Sequence, residues 1–278
     1  MKLDGATIAI ERRSIGACVD LAVMFYGAHV QQMLGLTALV AVPACLLTYW
    51  LVHSAGAGLV TGLLLFYAGS PFLGAAIVAG AGHRVFGDPF TVMGTLGIIA
   101  PRSFKLFFAL VVTRLGIALS SFLCIPLPII AVRYGFLSEV LLLEQSRGMR
   151  FERRISDLLR GVSFDLLMRQ LVLVGFYLCV FVSVYTLIDL VSGFVFSFPI
   201  LFGRISTEFL FDDLWFHLTS DARVVTAICA TLWLVYPLAR LAWFFCYLDT
   251  RIRKEAWDVE LDLRIEAQRL LEDQAAVA

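Results

Sequence analysis

"CIPLPIIAVRYG", residues 124–135, decides how many times this chain crosses its apolar solvent. Two prolines in an apolar run form either a tight hairpin between two spans or the kinked middle of one long span. The choice sets the side on which every later segment lies. That the solvent is a bilayer follows from composition. The chain has 278 residues, 60% of them hydrophobic and 16% charged, with a mean hydropathy of +0.87. Soluble domains carry about 25% charged residues, and a packed core cannot absorb such an apolar excess. The first residues, "MKLDGATIAIERRSIGACVD", read as no signal peptide, because Asp4, Glu11, Arg12 and Arg13 interrupt any apolar core. Net formal charge is zero, so no nucleic-acid partner is expected.

A transmembrane helix needs roughly 20 apolar residues. Runs of that kind lie near Gln32–Val52, Gly56–Gly82, Ser103–Leu123, Leu127–Leu143, Gln170–Phe196 and Val224–Cys246. Charge decides between the two readings of residues 124–135. With six spans, nearly all Arg and Lys fall on one side, from Arg12 and Arg13 through Arg84, Arg147–Arg169 and Arg240 to Arg269, while the other side holds Arg133, Arg204 and Arg223. Merging the third and fourth spans would put the Arg147–Arg169 cluster outside, against the positive-inside rule. The expectation is an all-α polytopic protein with six spans in three hairpins and both termini cytoplasmic.

Each hairpin is preceded by a segment that reads as a cytoplasmic interfacial helix: "ERRSIGACVDLAVMFYGAH" at 11–29, "DPFTVMGTLGIIAPRSFK" at 88–105 and "MRFERRISDLLRGVSFDLLMR" at 149–169. In the third, Phe151, Ile155, Leu158 and Leu159 recur at helical spacing, with Glu152, Arg153, Asp157 and Arg160 elsewhere on the wheel. The loop at 197–223 carries Phe209, Leu210, Leu214, Trp215 and Leu218, which suggests an amphipathic helix on the outer interface.

The second span has Gly58, Gly62, Gly69, Ala76 and Gly80 on one helix face. Missing side chains let another backbone approach, and packing within the chain is the expected use. The six cysteines stand singly, and the four histidines lack ligand spacing, so no metal or other cofactor is expected. No catalytic constellation is visible, and the chain reads as non-enzymatic. Ionisable residues inside spans are the candidate polar site, because they are expensive in hydrocarbon: Arg114, Glu139 and Asp189. Arg114 stands 12 residues past Arg102, roughly 18 Å along a helix. It is expected either to pair with Glu139 or with carbonyls freed by Pro126 and Pro128, or else to hold an anionic group in transport or lipid handling.

The chain divides into a membrane domain, 1–247, and a charged helical tail, 248–278. "YLDTRIRKEAWDVELDLRIEAQRL", 247–270, has opposite charges at i,i+4, among them Asp249–Arg253, and no Gly or Pro from Leu238 onward. The last span should therefore run on as one helix. Leu248, Ile252, Ala256, Val259, Leu263, Ala267 and Leu270 form an apolar seam on it. The first half should pack on the protein's own helices and the second on a partner's. The leading expectation is a scaffold or complex subunit, possible as a homo-oligomer, in contact with membrane lipid and with other membrane or cytoplasmic proteins. The alternative is the transporter or lipid-handling protein centred on Arg114.

Two stretches resemble bacterial six-span proteins of the YciC type, a group that includes the membrane domain of some glycerophosphodiester phosphodiesterases. In "VLLLEQSRGMRFERRISDLLRG" the similar positions are Glu144, Arg154, Leu158 and Gly161, with Ile155 where the pattern has Ser. In the tail they are Tyr247, Asp249, Arg251, Arg253, Glu255, Asp258 and Glu260, with Ala256 in place of Gly. The resemblance implies a six-helix bacterial inner-membrane module and no catalytic residues, since the phosphodiesterase chemistry of fused members sits in a separate domain.

Overall fold

The computed structural model describes residues 12–85, 87–122, 127–143, 149–201, 204 and 210–255, all-α with no strand among them. The helices are α1 (Ile15–Ala28), α2 (Val30–Ala55), α3 (Leu59–Val85), α4 (Val92–Ile99), α5 (Ser103–Phe122), α6 (Leu127–Gly135), α7 (Leu137–Leu142), α8 (Met149–Leu159), α9 (Ser163–Phe196), α10 (Leu210–Ser220) and α11 (Ala222–Glu255). Five of them, α2, α3, α5, α9 and α11, are long and apolar enough to cross a membrane. The chain is a polytopic helical membrane protein.

α11 is the central post, packed against α1, α2, α3 and α9. It can be central because its inner face is large and α3's is small. A Cβ on Gly62 would lie 2.5 Å from Cys229 Sγ, and one on Gly69 would lie 2.8 Å from the Trp233 ring. Gly58 lies under the Thr219 carbonyl at the end of α10, while Gly80 receives Phe90 and Thr95 ahead of and within α4. The small-residue face of the second span is thus used inside the chain. Buried Cys229 and Trp233 of α11 fill the space that Gly62 and Gly69 leave.

The fourth expected span differs. Residues 127–142 form two short helices broken at Phe136, whose backbone is not helical (φ −98°, ψ 14°). Gly135 gives its carbonyl to Trp243 Nε1 at 2.9 Å, and Phe136 stacks on Trp243 with its edge to Tyr247. Leu137 and Leu142 pack on Ala75 and Ala79, and Leu143 lies against Gly82. These contacts fall on one half of α3 and α11, so the pair leans into the bundle there instead of running its length as one rod. α9 begins at the end where α11 finishes, as the Arg169–Asp249 pair shows.

That end collects the basic residues. Arg13, Arg169, Arg253 and Lys254 meet there, and Arg84 donates from α3 to His29 Nε2 at 3.2 Å across the α1–α2 joint. Arg133, expected on the opposite side, shares a surface pocket with Ser156, Asp157, Arg160 and Ser163. The short α6 packs on α8 and α9, and so it keeps Arg133 at the basic end. Of the three expected interfacial segments, α1 packs on α11, α4 on α3, and α8 on α6, α7 and α11. The third is split: Gly161, at φ +80°, a backbone region open to glycine, follows α8, and residues 163–169 of the expected segment form the start of α9 instead.

At the other end Arg204 and Asp221 pair at 2.6 Å. Burial pushes the Asp221 carboxyl up, but the Arg223 backbone N–H and the Arg204 guanidinium outweigh it and hold it below the usual range. α10 turns Leu214 and Leu218 inward, and it leaves Phe211, Trp215 and Phe216 exposed. α11 continues without a break to Glu255, as the uninterrupted tail sequence required.

Overpacking the glycine face should cost about 1–3 kcal/mol. Gly62→Leu and Gly80→Leu are therefore expected to lower the thermal unfolding temperature in mild detergent. Gly116→Ala and Gly175→Ala, where a Cβ meets nothing within 4 Å, should leave it unchanged or raise it.

Candidate functional site

Two polar centres lie in the bundle. The first is Asp249, which is 2% exposed. Its Oδ2 pairs with Arg169 Nη1 of α9 at 2.7 Å and with Arg253 Nε, one turn on, at 2.9 Å. Its Oδ1 accepts the Arg13 backbone N–H ahead of α1, also at 2.7 Å. Arg253 returns to the Arg13 carbonyl at 2.9 Å, and Arg169 is braced by Asp165 at 2.9 Å. Lys254 donates to the Arg160 carbonyl beyond α8. A buried carboxylate is tolerable only when its lone pairs are occupied, and here three segments supply the donors. This centre is a structural knot. The expected Asp249–Arg253 helix pair is present within it.

The second centre is a cavity of about 410 Å³ between α3, α5, α6, α7, α9 and α11. Arg114 enters it from α5. Its guanidinium lies 4.5 Å from the centre of the Tyr67 ring and 3.5 Å from Ser70 Oγ, and its carbonyl accepts from Tyr67 Oη at 3.0 Å. Pro71, inside α3, cannot donate to the Tyr67 carbonyl one turn back, and Ser70 Oγ takes up that carbonyl at 3.4 Å. A proline in α3 therefore prepares the place where Arg114 rests.

Glu139 does not pair with Arg114. It is 0% exposed and forms an ion pair with Arg240 of α11 at 2.7 Å, while Ser138 Oγ donates to its other oxygen at 3.0 Å and accepts from Arg240. The break at Phe136 turns the carboxylate toward α11, away from α5. Arg114 has no carboxylate partner among the described residues, so the cavity keeps one uncompensated positive charge. Gln170 of α9 lines the same cavity, and its buried amide oxygen has no hydrogen-bond partner among the described residues. Tyr134, Tyr177, Tyr236 and Trp243 complete the polar and aromatic wall.

Asp189 belongs to neither centre. Its Oδ1 accepts the N–H groups of Ile200 and Leu201 at 2.8 Å each, capping the loop where the chain leaves α9 through Ser197 at φ 52°. Of the seam, Leu248 and Ile252 are buried at the basic end of α11, while Ala256, Val259, Leu263 and Leu270 lie outside the described residues. Sequence reasoning found Arg114 but missed Arg240 and Gln170. Arg240 was read with the cytoplasmic charges, and a lone Gln at the start of a span carries no pattern. No group of three or more potential metal ligands occurs among the described residues. Comparison with known families, with curated proteins and with solved structures finds no match for this chain.

Removing one member of a buried ion pair costs about 3–5 kcal/mol, whereas replacing both by apolar groups is close to neutral. Arg240→Leu should strongly lower the unfolding temperature, and Arg240→Leu with Glu139→Leu should recover most of the loss. Equal losses for single and double variants would show that the pair does not act as a unit.

Proposed function

We propose that this protein is a non-enzymatic membrane protein that holds an anionic group on Arg114 within the bundle, as a lipid-handling or transport component. The observation that supports this reading is the position of Arg114, a cation in an apolar protein with a ring and a hydroxyl beside it and no described carboxylate. A deep charge is expensive, and a wet or ligand-filled cavity that faces it is the usual reason for keeping it. The Glu139–Arg240 pair strengthens the reading, because it neutralises the second arginine and leaves Arg114 to attract the ligand.

The scaffold reading is kept as a second proposal. Leu248 and Ile252 are covered within the protein, as that reading expects of the first half of the seam, and a partner helix would dock on Ala256, Val259, Leu263, Ala267 and Leu270. We retain that docking, the YciC-type relationship and a bacterial inner-membrane location with cytoplasmic termini as parts of the proposal. The partition of Arg and Lys toward the Asp249 end favours this orientation.

The full chain, purified in mild detergent, should carry co-purifying anionic lipid detectable by native mass spectrometry. Arg114→Leu should reduce the bound fraction at least about tenfold, as expected for loss of a charge-assisted contact. An Arg114→Leu protein that unfolds normally and retains the same lipid would overturn the reading.

A further inference from the structure

A second hollow, of about 660 Å³, opens at the basic end of the bundle between α6, α8 and the start of α9. Arg133 lines it from the last turn of α6, and Arg160 from the turn that follows α8. Neither guanidinium forms an ion pair or a hydrogen bond among the described residues. Arg160 engages only through its backbone: its N–H donates to the Ser156 carbonyl at 3.0 Å, and its carbonyl accepts from Lys254 Nζ. Asp157 lies on the same wall and pairs with neither arginine among the described residues. Two guanidinium groups against one carboxylate leave a surplus of one positive charge in the hollow. An anion between the arginines relieves their repulsion and gives each a charge-assisted hydrogen bond. The Ser156 hydroxyl, with no described partner, adds a neutral donor.

The rest of the wall is apolar. Val132 and Leu159 are buried, and Phe164, which is 71% exposed, lines the hollow from the first turn of α9 together with Leu167. Phe164, Met168 and Leu171 follow at helical spacing along α9, and all three are exposed. An apolar track therefore runs from the hollow along a helix that is long and apolar enough to cross the bilayer. The apolar face of α8, with Ile155, Leu158 and Leu159, is buried in the bundle, so that helix does not cover the track.

A cationic hollow joined to an apolar track matches a molecule with a phosphate at one end and alkyl chains at the other. A soluble phosphate would leave the track unused. A zwitterionic headgroup would leave the surplus charge unbalanced, whereas a phosphodiester without an ammonium group cancels it. The volume suits one headgroup, with the chains outside it. We propose that this hollow is a headgroup site for an anionic phospholipid, its phosphate between Arg133 and Arg160 and its chains along Phe164, Met168 and Leu171. The site is separate from the one assigned to Arg114 and does not depend on it.

Hydrogen–deuterium exchange on the full chain in mild detergent reads this site at its own residues, 156–165. Dihexanoyl phosphatidylglycerol should slow exchange there, at a concentration roughly tenfold below that needed with dihexanoyl phosphatidylethanolamine. Arg133→Gln and Arg160→Gln should each raise the required concentration roughly tenfold, as expected for one charge-assisted contact. Both should leave the unfolding temperature without lipid unchanged, because neither side chain has a described bond to lose. Arg153→Gln, an exposed arginine of α8 outside the hollow, should leave the lipid response as in wild type. No slowing at 156–165, an equal response to the two lipids, or an Arg153→Gln loss as large as that of Arg133→Gln overturns the proposal. If sn-glycerol 3-phosphate slows exchange at the same concentration as the glycerol lipid, the ligand is a soluble phosphate ester and the lipid assignment falls.

Discussion

A carboxylate buried at one end of the bundle governs the arrangement of the rest. Asp249 sits on α11 one turn past an aromatic run, Phe244, Phe245 and Tyr247, that is wholly inside the protein. Once those rings are buried, Asp249 is carried inside with them, and it must find donors there. Arg169 from α9, Arg253 from its own helix and the backbone ahead of α1 supply them. The interaction fixes the register of α9 against α11 and anchors α1 across both. It also holds the basic side chains at one end, where interfacial phosphates would meet them.

With α11 set by that knot, its neighbours follow from size. α3 meets it through glycines, which admit Cys229, Trp233 and Tyr236 at backbone distance. Close approach on that side is not repeated on the side of α5. There the chain supplies only α6 and α7, broken at Phe136, which pack toward the Asp249 half. The space beyond the break is the cavity, walled by Tyr134, Gly135 and Ser138 on one side and by Arg114, Gln170 and Tyr177 on others. The break has two consequences from one cause. It turns Glu139 toward Arg240, and it thereby leaves Arg114 without that carboxylate.

The bundle was largely legible in the sequence. Apolar runs marked the five long helices, the spacing of Gly58, Gly62 and Gly69 gave the face of closest approach, and an unbroken tail predicted that α11 runs past Cys246 at least to Glu255. The fourth span differs from its expectation because length and apolarity describe two short buried helices as well as one continuous rod, and the break depends on contacts such as Trp243 to the Gly135 carbonyl. The pairing of charges was less visible. Arg169 and Asp249 are 80 residues apart, and Glu139 and Arg240 are about 100 residues apart, so no local period links them.

The most direct test of the knot is hydrogen–deuterium exchange on the Asp249→Asn protein in mild detergent. Losing the charge leaves Arg169 buried without its main counterion. Amides of α1 and the first turns of α9 should then exchange faster, while the loop at Ile200 and Leu201, held by Asp189 at the other end, should keep its protection. Unchanged exchange in α1 and α9, or an equal rise at both ends, would contradict the claim that Asp249 organises this end of the bundle.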